Sequence, residues 1–471
     1  MLLEAAPALG GRARSFTEPG TGDVLPIGPH VFLDNYANVL GLLELLGTAE
    51  RIVWDDDSRL TVADRAEAYE ARLDRAPAPL HFLPALLARA QATPFEIAAN
   101  LPALLFALQI DEKDVVRLDA IDAASALRRL GVPERSLSSL WALMTLAILN
   151  VPLERCSAGA LFRFARFLLS QRGPRFGFPD RGLGDLFDDA ARVFIDRHGG
   201  EVRTGTEVSA ILDRGNGLHA VRLADRTTLY TENLVTALPA RALAEMLPQS
   251  FADRAPGLAQ LDRWEAVPYV SVFLWFDRKL TRRRMWARAF RAEDFGCDFY
   301  DLSNVYRGYG DRPSLIAANV IYSHRVDGLD DDLIASGIQR EIAEFLPIAR
   351  AAHVLRYSVQ RIPLAIHCPA PGSERLRPAI CGPIPGLFVA GDWTRTGLPS
   401  SMESAARSGW LAAEGVLERY GRSRSLALPR PAPDPLPASI ARAAALLPFR
   451  PADALLDGGR LFRRFERSHA Y

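Results

Sequence analysis

The chain is poor in the residues that indicate a metal centre, a disulfide scaffold or a membrane span. Its four cysteines, at positions 156, 297, 368 and 381 of 471 residues, form no CxxC pair and share no metal-ligand spacing with the eight histidines. We therefore expect neither zinc nor disulfides, and a cytoplasmic location. No apolar run reaches the roughly 18 to 20 residues that cross a bilayer, and we expect no signal peptide.

The net charge is close to zero, and lysine is rare. Lys plus Arg equals Asp plus Glu at 56 each, so the chain has no overall field that would attract a polyanion, and nucleic-acid binding is excluded. Only Lys113 and Lys279 are lysines. With 49% hydrophobic and 24% charged residues, the composition is that of a folded globular protein. The length suits two or three domains of about 100 to 200 residues each.

Hydrophobic periodicity and turn signals predict alternating helical and strand regions. A Ser400/Glu403 capping box is predicted to start the last of the helices. The predicted helices cover residues 34–47, 184–197, 330–345 and 400–420, with a helical lobe from about 78 to 170. The predicted strands cover residues 201–203, 206–212, 219–223, 267–276, 314–322 and 386–392.

The first strand, Met1 to Glu4, ends in an acid, as does the second strand of a dinucleotide-binding fold, where the carboxylate accepts hydrogen bonds from ribose hydroxyls. The G-x-G-x-x-G loop of that fold stands about 20 residues before the acid, but Met1 comes only three residues before Glu4. The stretches at 182–184 and 215–217 do not replace it. The chain as numbered therefore has no glycine-rich phosphate loop.

Further short patterns follow Glu4 in a fixed order and, with it, resemble the flavin-dependent amine oxidase and phytoene desaturase superfamily. The similarity is greatest to plant-type phytoene and zeta-carotene desaturases and bacterial hydroxysqualene dehydroxylases, and it spans most of residues 1 to 420. The patterns are Gly10-Gly11-Arg12, Gly28-Pro29-His30 with Phe32, Tyr36 and Asn38, Glu207-Val208, Trp275 to Leu280, and Gly391-Asp392 through Ala405.

The resemblance implies an α/β fold of mixed α+β character with two lobes. A discontinuous, Rossmann-like FAD-binding domain would receive an inserted substrate domain of helices and β-sheet. The FAD-binding domain would comprise residues 1–77, 184–250 and 380–420, the substrate domain residues 78–183 and 251–379, and a proline-rich linker with a basic amphipathic tail residues 421–471.

FAD is the cofactor that the resemblance implies, and it assigns a role to each matching residue. Glu4 would hold the ribose, the main chain of Val208 the adenine edge, and Asp392 would accept from the ribityl chain. Glycines would let the backbone approach the pyrophosphate and the flavin closely. The full set of implied cofactor-binding residues is Glu4, Gly10, Gly11, Arg12, Gly28, Pro29, His30, Val208, Gly391, Asp392, Ser401 and Met402.

The helix that starts near residue 400 has an electrostatic argument of its own. Its first free N–H groups carry partial positive charge, which would stabilise an anionic reduced flavin if they point at the ring. Met402 would then lie against the flavin; the alternative is a capped surface helix that touches no cofactor. No pattern identifies a catalytic residue. His30 is a candidate because it lies next to the expected flavin face.

The positions of the two lysines in the sequence indicate the substrate class. Amine oxidases of this superfamily typically place a lysine beside the flavin, whereas Lys113 lies in a charged run and Lys279 in a strand-end turn. We therefore expect an FAD-dependent desaturase or dehydrogenase of a phytoene-like or squalene-like lipid, with a quinone or another electron acceptor. The lobe and Trp275-Phe276 would line a tunnel for that lipid. A hydroxysqualene dehydroxylase and a flavin amine oxidase remain alternatives.

The last 51 residues differ from the rest in proline and charge. Residues 428–437 are proline-rich, and residues 421–471 contain nine arginines against four acidic residues. The segment Arg460 to Arg467 interleaves arginines with Leu461, Phe462 and Phe465, a pattern typical of a basic helix on the inner face of a membrane. The alternative is a tail helix docked on the body.

The missing phosphate loop raises the expectation that Met1 is not the true start, or else that the chain is an inactive or non-enzymatic homologue. Loss of a central first strand would remove both packing and the anion site for the pyrophosphate. If the start is misassigned, roughly 30 upstream codons encode a strand followed by glycines. The extended protein is then expected to purify yellow, and a colourless extended protein would contradict this expectation.

Overall fold

The computed structural model describes most of the chain. It covers residues 1–55, 59–65, 67–72, 76, 80–82, 93–170, 175–289, 291–429, 433–445 and 455–456. The predicted basic helix at Arg460 to Arg467 lies outside the described residues.

Helices and strands alternate along the described residues. The helices are α1 (Ala37–Leu46), α2 (Pro94–Gln109), α3 (Glu112–Leu118), α4 (Ala123–Arg129), α5 (Glu134–Ser136), α6 (Ala142–Met144), α7 (Ala158–Leu169), α8 (Asp188–Arg197), α9 (Ala240–Met246), α10 (Gln249–Arg254), α11 (Asp331–Phe345), α12 (Ser373–Leu376), α13 (Met402–Arg419) and α14 (Pro435–Ala445). Two π-helical turns, Leu137–Trp141 and Thr145–Leu149, flank α6.

Strands β1 to β9 are Leu2–Leu3, Ser15–Thr17, Val24–Pro26, Phe32–Leu33, Ile52–Trp54, Arg59–Asp64, Glu67–Arg72, Phe176–Pro179 and Val202–Arg203. Strands β10 to β19 are Val208–Asp213, His219–Leu223, Thr228–Thr231, Leu234–Thr236, Ala266–Phe276, Met285–Arg288, Asp298–Asp301, Leu315–Ile321, Val354–His367 and Leu387–Val389. Single 3₁₀ turns lie at Ala49–Arg51, Leu80–Phe82, Leu183–Leu186, Leu261–Arg263, Leu302–Asn304, Ser323–Val326 and Pro347–Ala351.

The predicted helical lobe is confirmed over α2 to α7. Helices α2, α3, α4 and α7 start at side-chain caps: Thr93 forms a capping box with Glu96 at α2, and Asp111 caps α3 in the same way. Inside the lobe, the rings of Phe106 and Phe162 pack edge to face at 4.8 Å. These contacts hold the helices together around one apolar core.

The largest sheet has seven strands in the order β18-β14-β17-β16-β15-β6-β7. One of its faces, which includes Val272 of β14, packs against Ile338 and the other isoleucines of α11. Because successive side chains of a strand point to opposite faces, Tyr269, Ser271 and Phe273 lie on the other face. That second face contacts the helical lobe and strand β3.

Five strands of this sheet, β6, β7, β15, β16 and β18, were not predicted from local pattern. Strand β6 pairs in parallel with β15, so residues 59–72 belong to the large sheet, whereas the predicted boundary assigned residues 1–77 to the other lobe. Strand β18 carries Pro363 and exposes Leu355 and Leu364. Those features are compatible only with its position at the edge of the sheet, where one side needs no pairing.

Short parallel strand pairs carry the predicted cofactor residues. Strand β1 pairs with β9, and β13 pairs with β19. Glu4 therefore follows the carboxyl end of one parallel pair, and Gly391 follows that of the other. Leu3 and Val208 both pack on the apolar cluster that contains Leu387 of β19, so the first and last of these segments share one core.

Helices α1 and α13 are joined by a cap that the sequence analysis assigned wrongly. The predicted Ser400/Glu403 box is absent, and Ser401 caps α13 by accepting from the backbone N–H of Ser404. Glu403 instead reaches α1, where it accepts from the N–H groups of Asn38 and Val39 at 2.9 to 3.0 Å. The Asn38 side chain also donates to it at 2.7 Å. Glu403 thus caps a helix that lacks a side-chain cap of its own.

The described part of residues 421–471 packs on the body. The backbone of Leu428 bonds to the Asn38 side chain in both directions, and α14 starts at Pro435 and packs on α2. Residues 435–437, predicted as part of a linker, are therefore helical. Proline is compatible with the first turn of a helix because the N–H that it lacks would have no intrahelical partner there.

No helix in the described part of the chain is both long and apolar enough to cross a bilayer.

Replacing Glu403 with glutamine is expected to lower the free energy of unfolding by about 2 kcal/mol, because two buried backbone donors and one amide lose a charged acceptor. Urea unfolding of the Glu403→Gln variant tests this. The matched control is Glu418→Gln, which makes the same change at an exposed position of the same helix and should stay within about 0.5 kcal/mol of the wild type. Equal effects of both variants would show that the cap contributes nothing.

Candidate active site

An ion pair joins two residues that were predicted separately as cofactor contacts. Arg12 Nη2 lies 2.5 Å from Asp392 Oδ1, and Arg12 Nη1 donates to the carbonyl of Ala365 at 2.8 Å. The Arg12 side chain is 40% exposed, while that of Asp392 is 9% exposed. The pair therefore fixes the turn after β1 against the turn after β19 and leaves the guanidinium open to a ligand.

The electrostatics of this region favour an ionised Asp392. Burial alone would raise the pKa of Asp392, but the charges of Arg12 and Arg377 hold it below its usual range. His367 Nδ1 lies 3.8 Å from Asp392 Oδ1 and has no hydrogen-bond partner among the described residues. Burial lowers the pKa of His367 to about 4, since its ring packs edge to face against Trp264. His367 is consequently neutral near pH 7.

Two glycine turns form the backbone around the pair. Gly10 has φ of 114° and Gly11 has φ of 58°, in the region that favours glycine. A Cβ at Gly10 would lie 2.5 Å from the carbonyl oxygen of Ala13, whereas one at Gly11 would meet nothing within 4 Å. Gly391 has φ of 136° and donates its N–H to Ser408 Oγ at 2.7 Å. The turn at Gly11 therefore leaves open space beside its backbone.

Glu4 and Val208 lie at the other end of this region. Glu4 accepts from the N–H of Ala6 at 2.8 Å, and its backbone bonds to that of Thr206. Val208 starts β10 directly after this contact. This backbone contact places Glu4 beside Thr206, two residues before Val208, and the roles of Glu4 and Val208 at ribose and adenine stay predictions.

The N-terminus of α13 is tied to the same turn. Ser400 Oγ and Ser404 Oγ both donate to the carbonyl of Asp392, at 3.3 and 3.1 Å. Met402 packs on the apolar cluster that also holds Ala13. Since the Glu403 carboxylate caps α1, it does not cover the positive end of its own helix. The predicted neighbours Ser401 and Met402 therefore lie beside the Arg12 and Asp392 turns.

Gly28, Pro29 and His30 follow β3 and reach the large sheet. A Cβ at Gly28 would lie 3.4 Å from Tyr269 Cε1 and 3.6 Å from Ser271 Oγ. His30 Nδ1 lies 2.6 Å from the carbonyl oxygen of Gly28. Because a carbonyl only accepts, Nδ1 carries the proton and Nε2 is left as an acceptor. Burial lowers the pKa of His30 below its usual value, which keeps the ring neutral.

Both lysines lie in other surroundings. Lys279 Nζ donates to Ser303 Oγ at 2.8 Å and to Asn304 Oδ1 at 3.0 Å, and Lys113 is exposed in the first turn of α3. The expected tunnel role of Trp275 and Phe276 is wrong for Phe276, which is 2% exposed in the core under α11. Trp275 donates instead to Asp23 at 2.7 Å.

The sequence analysis missed His367, Arg377 and Glu403 as parts of this region. His367 ends the unpredicted strand β18, and no local pattern distinguishes it from a core histidine. Arg377 donates to the carbonyl oxygens of Asp392 and Thr394. Only the clustering of polar residues around Gly391-Asp392 could have suggested long-range partners there.

Comparison with known proteins identifies the class. The family model for flavin containing amine oxidoreductases matches residues 1–417. The chain belongs to this family, is an FAD-dependent oxidoreductase, and uses FAD as its cofactor.

Relatives and a solved structure extend the comparison. The 15-cis-phytoene desaturase of Solanum lycopersicum is 26% identical over 441 residues, which are 90% of this chain and 75% of the relative. The 15-cis-phytoene desaturase of Synechococcus elongatus is 26% identical over 447 residues, covering 92% and 93%. A triple mutant of putrescine oxidase is 15% identical with a TM-score of 0.67, covering 88% and 93%. The last comparison supports the fold, which is the two-lobed α/β type predicted.

The residues present fit FAD. The buried Nδ1 of His367 has no hydrogen-bond partner among the described residues. Gly11 leaves open space beside its backbone. In the part of the chain that the structure describes, no carboxylate covers the N-terminus of the 18-residue helix α13. An anionic cofactor with hydroxyl donors suits a helix N-terminus, a guanidinium and a carboxylate together. These features occur where the turn after β1 meets the turn after β19.

Lowering the pH from 7 to 5 is expected to destabilise the wild type by about 2 kcal/mol more than the His367→Gln variant. The unfolded histidine binds a proton below its ordinary pKa of about 6.5, whereas the folded one, with a pKa of about 4, does not. The free energy of unfolding therefore decreases as the pH is lowered from 7 to 5. Urea unfolding at both pH values measures the effect.

The control is His353→Gln, which removes an exposed histidine and should lose as much stability between the two pH values as the wild type does. A His367→Gln variant that follows the wild-type pH dependence would contradict a neutral, buried His367.

Proposed function

We propose that the chain dehydrogenates a long apolar polyisoprenoid and introduces a carbon–carbon double bond. The proposal draws on relatives named phytoene desaturases along about nine-tenths of the chain. When bound, FAD supplies hydride acceptance. The protein's part is to orient the lipid, exclude water and remove one proton.

The observation that carries the proposal is an apolar cavity of about 220 Å³ next to the start of α13. Leu398, the end of α2 and the start of α14 all contribute to its wall. Of the charged residues at its wall, Arg163 lies 2.7 Å from Glu112 and also pairs with Glu374, and Arg166 donates to the carbonyl of Ile110. The surface offered to a ligand is therefore mainly that of the apolar residues Leu108, Ile110, Val115, Phe167, Leu398, Pro437, Ala438 and Ala441.

The cofactor roles expected from the resemblance are kept as part of this proposal. Glu4 and Val208 would hold the adenosine, and the turn at Gly10 and Gly11 would receive the pyrophosphate. Asp392 keeps one carboxylate oxygen for ribityl hydroxyls, because Arg12 occupies only Oδ1. The N-terminus of α13 would stabilise negative charge on the reduced ring.

Delivery of the lipid from a membrane surface is also proposed, with a membrane quinone as electron acceptor. Helix α2 exposes Phe95, Leu101 and Leu105, with 75%, 48% and 41% of their surfaces accessible. Its final turn, at Leu108, lines the cavity. An exposed apolar helix that ends at an apolar cavity suits a peripheral contact through which an oily substrate enters.

A second candidate, the dehydroxylation of hydroxysqualene, is supported by the stretch Gly391 to Pro399, which resembles hydroxysqualene dehydroxylases as closely as desaturases. The two reactions move electrons in opposite directions. A desaturase substrate reduces the flavin, whereas dehydroxylation consumes reduced flavin.

Phytoene is expected to bleach the oxidised flavin of the FAD-containing protein under anaerobic conditions, with a product two hydrogens lighter by mass spectrometry. Squalane, which lacks the double bonds that stabilise a developing allylic cation, is the control and should leave the flavin oxidised. Reoxidation of pre-reduced flavin by hydroxysqualene would favour the second candidate. Bleaching by putrescine and not by phytoene would overturn the proposal.

A further inference from the structure

Three polar side chains form a row on the second face of the large sheet. Ser271 of β14 is opposite Asn319 of β17, and Asn319 is opposite Asp298 of β16. Residues paired across neighbouring strands point to the same face. The three side chains belong to residues that are 0%, 1% and 7% exposed, so the row is buried between the sheet and the elements that pack on it.

Each member of the row has a polar atom without a partner among the described residues. These atoms are Ser271 Oγ, Asn319 Oδ1 and Asp298 Oδ1. Buried polar atoms are nearly always hydrogen-bonded, because an unsatisfied one costs about 1 to 3 kcal/mol. Three such atoms in one row therefore indicate bound water or a bound ligand group rather than three unrelated defects.

The spacing of the row suits water. Neighbouring strands are about 4.8 Å apart, and one water with two hydrogen bonds of about 2.8 Å spans that gap. Asn319 hydrogen-bonds the Asp298 carboxyl group directly, so a water that donates to Asp298 Oδ1 would lie beside that contact, and a second, between Asn319 Oδ1 and Ser271 Oγ, would continue the row. Such a file could carry a proton along the sheet.

One end of the row lies at the predicted flavin face. Ser271 Oγ is in van der Waals range of the position where a side chain at Gly28 would begin, 3.6 Å away. Gly28 also holds the ring of His30, the residue expected next to the flavin. The row thus leads from that face to the carboxyl group of Asp298.

The other end of the row is an acid without a cationic partner. Tyr300 donates to Asp298 Oδ2 at 2.6 Å, and Asn319 also hydrogen-bonds the carboxyl group. The remaining titratable groups nearby are Tyr269 and Cys297, both buried. No lysine, arginine or histidine of the described residues forms an ion pair with Asp298. Burial raises the pKa of Asp298 to about 6, a value close to the operating pH of most enzymes.

We propose that the Asp298 carboxylate, reached through water held by Asn319 and Ser271, accepts the proton that the dehydrogenation releases. The inference rests on the proposed function. One C–H bond of the lipid breaks to give hydride to FAD, and the neighbouring C–H bond breaks so that its electron pair forms the double bond. The proton from the second bond protonates Asp298 and later passes to solvent, while the two electrons leave FAD for the quinone.

The test measures the anaerobic rate of flavin bleaching by the polyisoprenoid as a function of pH in the FAD-containing protein. The wild-type rate is expected to rise through about pH 6 and then level off, because only the carboxylate accepts a proton. Asp298→Asn is expected to slow bleaching by roughly 10²- to 10⁴-fold and to remove the inflection. The matched control is Asp311→Asn at an exposed aspartate, which should keep the wild-type rate and profile.

A second variant keeps the test valid if Asp298→Asn does not fold. Tyr300→Phe removes a hydrogen bond that lowers the pKa of Asp298, so the inflection should move to higher pH while bleaching persists. An unshifted inflection, an Asp298→Asn variant with the wild-type profile, or a rate that falls as the pH rises through 6 would overturn the proposal. The last result would mean that Asp298 donates a proton, as a dehydroxylation requires.

Infrared difference spectroscopy separates failure of this inference from failure of the proposed function. The carbonyl band of a protonated carboxylic acid should appear as the pH falls through about 6 in the wild type and be absent in Asp298→Asn. If no polyisoprenoid bleaches the flavin but the band titrates, the proposed function fails and the proton-acceptor role fails with it, although the buried acid exists. If bleaching occurs without any dependence on this titration, only the inference fails.

Discussion

The Arg12–Asp392 ion pair joins residues that are 380 positions apart in the chain, and the arrangement of the candidate site depends on it. It holds the glycine turn after the first strand against the turn after the last one. The carbonyl of Asp392 then receives Ser400 and Ser404 from the start of α13. Because the acid is buried and the Arg12 guanidinium is 40% exposed, removal of Arg12 would leave the buried carboxylate with only the charge of Arg377 nearby, at a cost that exceeds that of losing a surface ion pair.

A second long-range contact orients the helix that this pair receives. Glu403 turns away from the N-terminus of α13 and caps α1, so the positive end of α13 remains available for an anion. Met402 is meanwhile packed beside Ala13. The same few residues therefore satisfy one helix end and leave another unsatisfied, which is the arrangement that a bound anionic cofactor would complete.

Local sequence patterns were sufficient for the elements whose causes are local. The helix that ends at Gly47, the lobe with its capping boxes, and the strand before Gly391 all carry their signals within a few residues. Glu403, His367 and strand β18 could not be predicted in the same way, because their roles depend on partners hundreds of positions away. A Glu three residues after a Ser fits a capping box, and only the fold shows that this one serves another helix.

In the proposed function, the two faces of the large sheet separate an apolar core from the row that would transfer a proton. One face is an apolar core against α11, and the opposite face carries the row from Ser271 to Asp298, with Ser358 and Gln360 of the edge strand β18 beside it. Lys279 is held by Ser303 and Asn304 and Lys113 is exposed, so the proposed proton acceptor is the acid Asp298. The separation of these two faces follows from the period of two in β-strands.

The most direct test of the account is a double-mutant cycle on FAD dissociation with Arg12→Gln, Asp392→Asn and the combined variant, in the FAD-containing protein. If the ion pair assembles the cofactor site, each single variant weakens FAD binding by about tenfold or more, and the double variant is little worse than either one, with a coupling energy of about 1 to 2 kcal/mol. Fully additive losses, or FAD affinities equal to that of the wild type, would contradict it.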